Sequence, residues 1–204
     1  MGSEMCIRDS LCAPFAHDPA AGQLQNGTKY AKIAVHGPAY HKPVRNITTE
    51  GYLMIRVLFI CHGNICRSTM AESIMTYLVK QAGVEDQFYI NSAATSCEEI
   101  GNPPHSGTVA KLKAEGIPVI PHRAVQMTLN DYEEYDYLIG MDTENIRNMQ
   151  RLSGGDPDEK VYKLMTFAGS GSDVADPWYT GDFEATYKDV RKGCEGLLKV
   201  LMNL

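Results

Sequence analysis

The sequence contains no run of Lys or Arg, and its 19 basic residues are outnumbered by 25 Asp and Glu, giving a formal net charge of -6. A protein that holds nucleic acid by neutralising successive phosphates needs the opposite balance, so no nucleic-acid partner is expected and any anion site must be local. No apolar run exceeds the length of a strand, so no membrane partner is expected either. The six cysteines, Cys6, Cys12, Cys61, Cys66, Cys97 and Cys194, lack the dense spacing of a secreted disulfide scaffold. The opening Met1-Gly-Ser-Glu-Met-Cys6 has neither a basic nor a sustained apolar segment of a secretory signal. A reducing, cytoplasmic setting follows as the expectation. Internal repeats and low-complexity tracts are missing as well. No Lys followed by Ser or Thr closes a nucleotide-type P-loop, and Gly169-Ser-Gly171-Ser is too short for a dinucleotide fingerprint. Nothing with zinc-like spacing supplements Cys61, His62 and Cys66, so neither a metal nor a cofactor is expected.

What is present divides near residue 53. Residues 1–53 show neither helical nor strand periodicity beyond a few positions and read as a poorly ordered extension, a leader or a misassigned start. Residues 54–204 read as one domain. Met54–Ile60 is a near-continuous apolar run, the pattern of a strand buried on both faces of a parallel sheet, and it runs directly into Cys61. After a short loop, Met70, Ile74, Tyr77 and Leu78 recur at helical spacing. Further strands are expected at 88–91, 135–140 and 161–164, with helices around 107–115, 129–134 and 143–152 between them. Phe183, Tyr187, Val190, Cys194, Leu197 and Leu201 mark a final helix with one apolar face. Alternation of this kind predicts an open three-layer α/β sandwich around a small parallel sheet of about four strands, with an anion-binding loop at the end of the first.

That loop is Cys61-His-Gly-Asn-Ile-Cys-Arg-Ser68. A loop that leaves a parallel strand and turns into a helix aims backbone N–H groups inward, at the place where open sheets bind their ligands. The helix N-terminus adds roughly half a positive charge. Gly63 permits the tight turn, Asn64 tolerates left-handed geometry, and Arg67 presents a planar fork suited to two phosphate oxygens. Cys61 lies at the base, where the field that binds an anion also favours a thiolate, the nucleophilic form of cysteine.

The run Val57-Leu-Phe-Ile-Cys-His-Gly-Asn-Ile-Cys-Arg-Ser-Thr-Met-Ala-Glu72 resembles the signature of the low-molecular-weight protein tyrosine phosphatases. The resemblance extends through Asn91–Ser96, Glu99–Pro104, Gly140–Asn145 and Asp176-Pro-Trp-Tyr179. It implies a metal-independent hydrolase of phosphotyrosine-containing proteins, expected as a monomer. Cys61 would attack phosphorus and form a phosphocysteine, Arg67 would bind the phosphoryl oxygens, and Asp176 would protonate the leaving phenolate, whose conjugate acid has a pKa of about 10. His62, Gly63, Asn64, Ile65, Cys66 and Ser68 form the binding loop, in which Asn64 and Ser68 hold its shape. Trp178 and Tyr179 would flank a slot for the phenyl ring. Ser92 and His122 would support the loop from behind. Cys66 could trap an oxidised Cys61 as a disulfide if the backbone allows it.

Two departures from the family pattern stand out. Thr69 replaces a common Pro at the helix start, and Glu98 replaces an aromatic pocket wall, which should favour basic residues beside the phosphotyrosine. Three rival activities remain on the same scaffold. Arginine phosphatases resemble this loop but carry Thr at the position of Ile65. Thiol-linked arsenate reductases need two further cysteines downstream, and residues 130–145 contain none. A non-catalytic phosphate-recognition module would not need both Cys61 and Asp176.

Overall fold

The computed structural model describes residues 46–47 and 53–203. Apart from Asn46 and Ile47, the expectation for residues 1–53 lies outside the described residues. Strand β1 (Asn46–Ile47) pairs antiparallel with the start of β2 (Leu53–Cys61). The chain then continues through α1 (Arg67–Gln81), β3 (Phe88–Ala94), α2 (Ser106–Ala114), α3 (Leu129–Glu134), β4 (Tyr137–Gly140), α4 (Thr143–Leu152), β5 (Val161–Lys163), α5 (Pro177–Thr180) and α6 (Phe183–Met202). Strand β2 pairs in parallel with β3 on one side and β4 on the other, and β4 pairs in parallel with β5. The parallel order is therefore β3-β2-β4-β5, the small four-stranded sheet that the alternation of elements predicts.

Side chains of β2 alternate between two cores. Val57, Phe59 and Cys61 pack with Met70, Ala71 and Ile74 of α1 and with Val190, Cys194 and Leu197 of α6. Leu58 and Ile60 join Ala93, Leu138, Tyr132 and Met149 on the opposite face. Both faces are covered, which is why the strand reads as an apolar run broken only at Arg56 rather than an alternating one. Helix α6 approaches the segment 164–168 closely because it carries Gly196, where a Cβ would lie 2.0 Å from the Phe167 carbonyl oxygen. Among the described residues, no helix is long and apolar enough to cross a membrane. Cys61, Cys66 and Cys194 are free thiols.

The strand order places the functional loop. The chain leaves β2, forms β3 on one side, and returns across β2 to form β4 on the other. A cleft opens where the connections diverge, beyond the carboxyl ends of β2 and β4. Cys61 ends β2, and Asp142 follows β4 by two residues.

Candidate active site

Residues 61–67 wrap around the Cys61 sulfur. Its Sγ receives the Asn64 backbone N–H at 3.3 Å and lies 3.1 Å from the Ser68 hydroxyl. Asn64 adopts φ 57, the left-handed turn expected of it, and is fully buried. Its amide organises everything behind the sulfur. Nδ2 donates to Ser68 Oγ at 2.9 Å and to Ser92 Oγ at 2.8 Å, while Oδ1 accepts from His122 Nε2 at 2.6 Å and from the Val125 N–H at 3.1 Å. Proton accounting then fixes the direction of the contact to sulfur. Because the Ser68 oxygen accepts from Asn64, its own hydrogen is free for Cys61. Ser92 likewise accepts from Asn64 and donates to Glu72 Oε2 at 2.6 Å.

Glu72, on α1, is buried, and burial pushes its carboxyl up to about 7 against the opposing hydrogen bond from Ser92. His122 Nδ1 lies 3.5 Å from the same carboxylate oxygen, the spacing of an ion pair. Burial, however, pulls His122 below its ordinary 6.5. The two shifts favour a neutral pair near neutrality, in which the Nε2 hydrogen goes to Asn64 and Nδ1 faces the protonated carboxyl. We favour that assignment because both groups are desolvated by the same packing.

Helix α1 begins at Arg67 without a side-chain cap, so its first amides are not claimed by a side chain and face the loop end where an anion is welcome. Arg67 itself is 3 % exposed. Its two terminal nitrogens are held by different carboxylates, Nη1 by Asp142 Oδ2 and Nη2 by Asp176 Oδ2, each at 2.6 Å. Burial works against its charge, but the Cys61 sulfur and the two aspartates outweigh it and hold the guanidinium above its ordinary value. Asp142 caps α4 through the Asn145 N–H, and Asp176 caps α5 through the Trp178 N–H. Cys66, expected as a resolving thiol, is buried with Ile65 and Ala124, and burial with the nearby Cys61 and Asp176 pushes it up to about 12. Thr69 uses its hydroxyl, absent from a proline, to donate to the Cys66 carbonyl at 3.1 Å.

The cleft above the sulfur is lined by Cys61, His62, Gly63, Ile65, Cys66 and Arg67 from the loop, with Glu98, Asp176, Trp178 and Tyr179 around the mouth. Ten of the residues singled out from the sequence therefore converge on it. Asn64, Ser68 and Ser92 are buried behind the loop, and His122 joins them there. His62 Nε2 meets Glu98 Oε2 at 3.1 Å on the exposed rim. Trp178 and Tyr179 are both exposed, at 62 % and 85 %. The sequence reading assigned no role to Asp142, Glu72 or Glu99, although each lies in a quoted motif. Glu99 also lines the cleft, and its Cγ lies 3.0 Å from where a Cβ on Gly63 would stand. Among the described residues, no group of three or more His, Cys, Asp and Glu side chains is arranged to hold a metal.

A buried cysteine under an arginine fork, at the switch point of a small parallel sheet, is the architecture of a cysteine-dependent phosphatase. The chain belongs to the low molecular weight phosphotyrosine protein phosphatase family, whose model matches residues 56–203. It is 41 % identical over 147 residues to the low molecular weight protein-tyrosine-phosphatase YfkJ of Bacillus subtilis, covering 71 % of this chain and 94 % of YfkJ. It is 37 % identical over 152 residues to PtpA of Staphylococcus saprophyticus, covering 73 % and 95 %. The crystal structure of YfkJ superimposes with a TM-score of 0.71 at 40 % identity, over 74 % of this chain and 96 % of that one. That of SP-PTP from Streptococcus pyogenes does so with a TM-score of 0.67 at 44 % identity, over 73 % and 94 %.

Proposed function

We propose that the protein hydrolyses phosphotyrosine in proteins to tyrosine and inorganic phosphate. The carrying observation is the meeting of Asp176 with Arg67, 2.6 Å apart, over the sulfur of Cys61. In the first step the Cys61 thiolate attacks phosphorus. The bond from phosphorus to the phenolic oxygen breaks, its electrons pass to that oxygen, and Asp176 supplies the proton. Arg67 and the loop amides hold the remaining phosphoryl oxygens as charge builds on them. In the second step water attacks the phosphocysteine, Asp176 takes its proton, and the sulfur departs as thiolate, helped by the Ser68 hydroxyl and the Asn64 N–H. Trp178 and Tyr179 stand where a phenyl ring would enter, and Glu98 on the rim favours basic neighbours in the substrate. Ile65 places an apolar branch in the cleft, which offers nothing to orient a phosphoguanidinium, so the arginine phosphatase reading is not preferred. The free thiol of Cys61 suits a cytoplasmic protein.

The test compares wild type, Cys61→Ser and Asp176→Asn on an aryl phosphate and a phosphotyrosine peptide, with chelator present. Activity should survive the chelator, vanish in Cys61→Ser, and fall in Asp176→Asn by about a hundred-fold or more on substrates with poor leaving groups. A wild type that binds phosphate without turning over either substrate would refute the enzyme reading.

A further inference from the structure

Asp176 is reached through Gly169-Ser-Gly-Ser-Asp-Val-Ala175, a stretch whose composition imposes little on its own path. Gly169 is left-handed, at φ 72, and residues 171–173 are exposed. The carboxylate at its end must nevertheless be held where a leaving oxygen will emerge, because a displacement of about 1 Å there is costly to a proton transfer. Near Asp176 the segment is fastened to the core: the Val174 N–H donates to the Met141 carbonyl at 2.9 Å, and the Ala175 N–H donates to Asp189 at 3.1 Å.

Farther back, one side chain gathers it. Lys163, the last residue of β5, donates to the Gly171 carbonyl at 3.0 Å, to Asp173 Oδ1 at 2.7 Å and to Thr143 Oγ1 at 3.0 Å. An ammonium has three hydrogens, so all of its donors are used. Thr143 opens α4 immediately after Asp142, and its N–H and hydroxyl both reach Asp173 Oδ1 at 3.1 Å. Burial works to raise the Asp173 carboxyl, but the hydrogen bonds from Lys163 and Thr143 prevail and hold it below its ordinary value. The two carboxylates on Arg67 thus come from segments that are tied together through Lys163, one at Asp142 and the other running to Asp176.

We propose that Lys163 is a positioning residue for the reaction: its clamp on Gly171, Asp173 and Thr143 sets Asp176 relative to Arg67, and so sets proton delivery to the leaving group. This rests on the reading of Asp176 as the proton donor. Lys163 does not line the cleft and would touch no substrate atom.

The experiment measures kcat/KM for wild type, Lys163→Met, Asp176→Asn and the double variant on 4-nitrophenyl phosphate, a good leaving group, and phenyl phosphate, a poor one. Inorganic phosphate serves as the probe of anion binding, and urea unfolding checks the fold. Lys163→Met should lose about ten-fold more on phenyl phosphate than on 4-nitrophenyl phosphate, with inhibition by phosphate changed less than about two-fold. Combined with Asp176→Asn, it should add almost nothing to the leaving-group penalty, because both act through one proton. Lys163→Arg should recover part of the loss. If Lys163→Met does not fold, Thr143→Val removes one strand of the clamp at nearly constant volume and carries the same expectation. An equal loss on both substrates, or a double variant whose penalties simply add, overturns the proposal while leaving the phosphatase reading intact. If Asp176→Asn itself shows no leaving-group dependence, the acid assignment fails and the proposal falls with it.

Discussion

The buried amide of Asn64 offers the sharpest test of how the loop is held, because two replacements separate its two contributions. Asn64→Gly keeps the left-handed φ of 57 but deletes the amide, which makes hydrogen bonds to Ser68, Ser92, His122 and Val125. At about 1 kcal/mol net for each bond, with more where a buried partner is left unpaired, the loss should be roughly 3–4 kcal/mol. Asn64→Ala makes the same deletion and also forces a Cβ into the left-handed region, for roughly 1–2 kcal/mol more. Urea unfolding, compared at equal slope, should therefore rank wild type above Asn64→Gly and Asn64→Ala last. Activity should fall in both, on the order of ten-fold or more, since Ser68 loses the donor that turns its hydrogen toward sulfur. If both variants lie within about 1 kcal/mol of wild type, the amide is not the organiser we describe. If alanine matches glycine, the turn at 64 carries no strain.

Three further outcomes follow from particular contacts. The folded form holds a proton on Glu72, whose carboxyl is raised from 4.5 to about 7, while an unfolded chain would release it. The stability this contributes is complete below pH 4.5 and lost as pH rises to about 7, for at most roughly 3 kcal/mol. Glu72→Gln should remove that slope from unfolding measured between these limits, and an unchanged slope would place the titration elsewhere. Replacing Glu98 by Lys should shift preference from basic-flanked to acidic-flanked phosphotyrosine peptides on the order of five-fold, read from paired kcat/KM values. Unchanged selectivity would mean that the rim charge at this position is screened. Gly196→Ala should destabilise by about 2 kcal/mol or more despite the better helix propensity of alanine, because its Cβ would stand 2.0 Å from the Phe167 oxygen. A rise in thermal midpoint would contradict the close approach of α6.

The strands that were legible are those whose neighbours leave a mark in composition. β2 is apolar apart from Arg56 because helices cover both of its faces, and composition places it to within a residue at either end. β3 continues to Ala94, three residues past the end that composition suggested, through Ser92, Ala93 and Ala94. Those small side chains have weak strand preference, and their pairing with Phe59, Ile60 and Cys61 of β2 overrides it. Composition places the start of β4 at Tyr135, but that residue caps α3 in extended geometry and is buried, and β4 starts at Tyr137. The two residues of β1 are too few to show any period, and the turn of α5 was hidden although Asp176-Pro177 is a reasonable helix-opening pair.

The site divides along the same line. Cys61 through Ser68 is one contiguous loop whose chemistry depends on backbone shape, so residue types at fixed offsets suffice to read it. Asp142 and Lys163 act across elements, and their contacts exist only because β4 lies beside β2 and β5 beside β4, while Glu72 on α1 meets Ser92 only because β3 lies on the other side of β2. An aspartate after a strand is otherwise an ordinary helix cap, which Asp142 also is. Its second oxygen gives it another part: by taking one arm of Arg67 it leaves the other for Asp176, so one guanidinium registers two segments that are remote in sequence. The phosphate that enters must share this fork with Asp176. With Asp176 as the proposed proton donor, the fork links binding of the anion to the position of that donor, and Lys163, which ties those segments together behind it, is where that link can be loosened without touching the substrate.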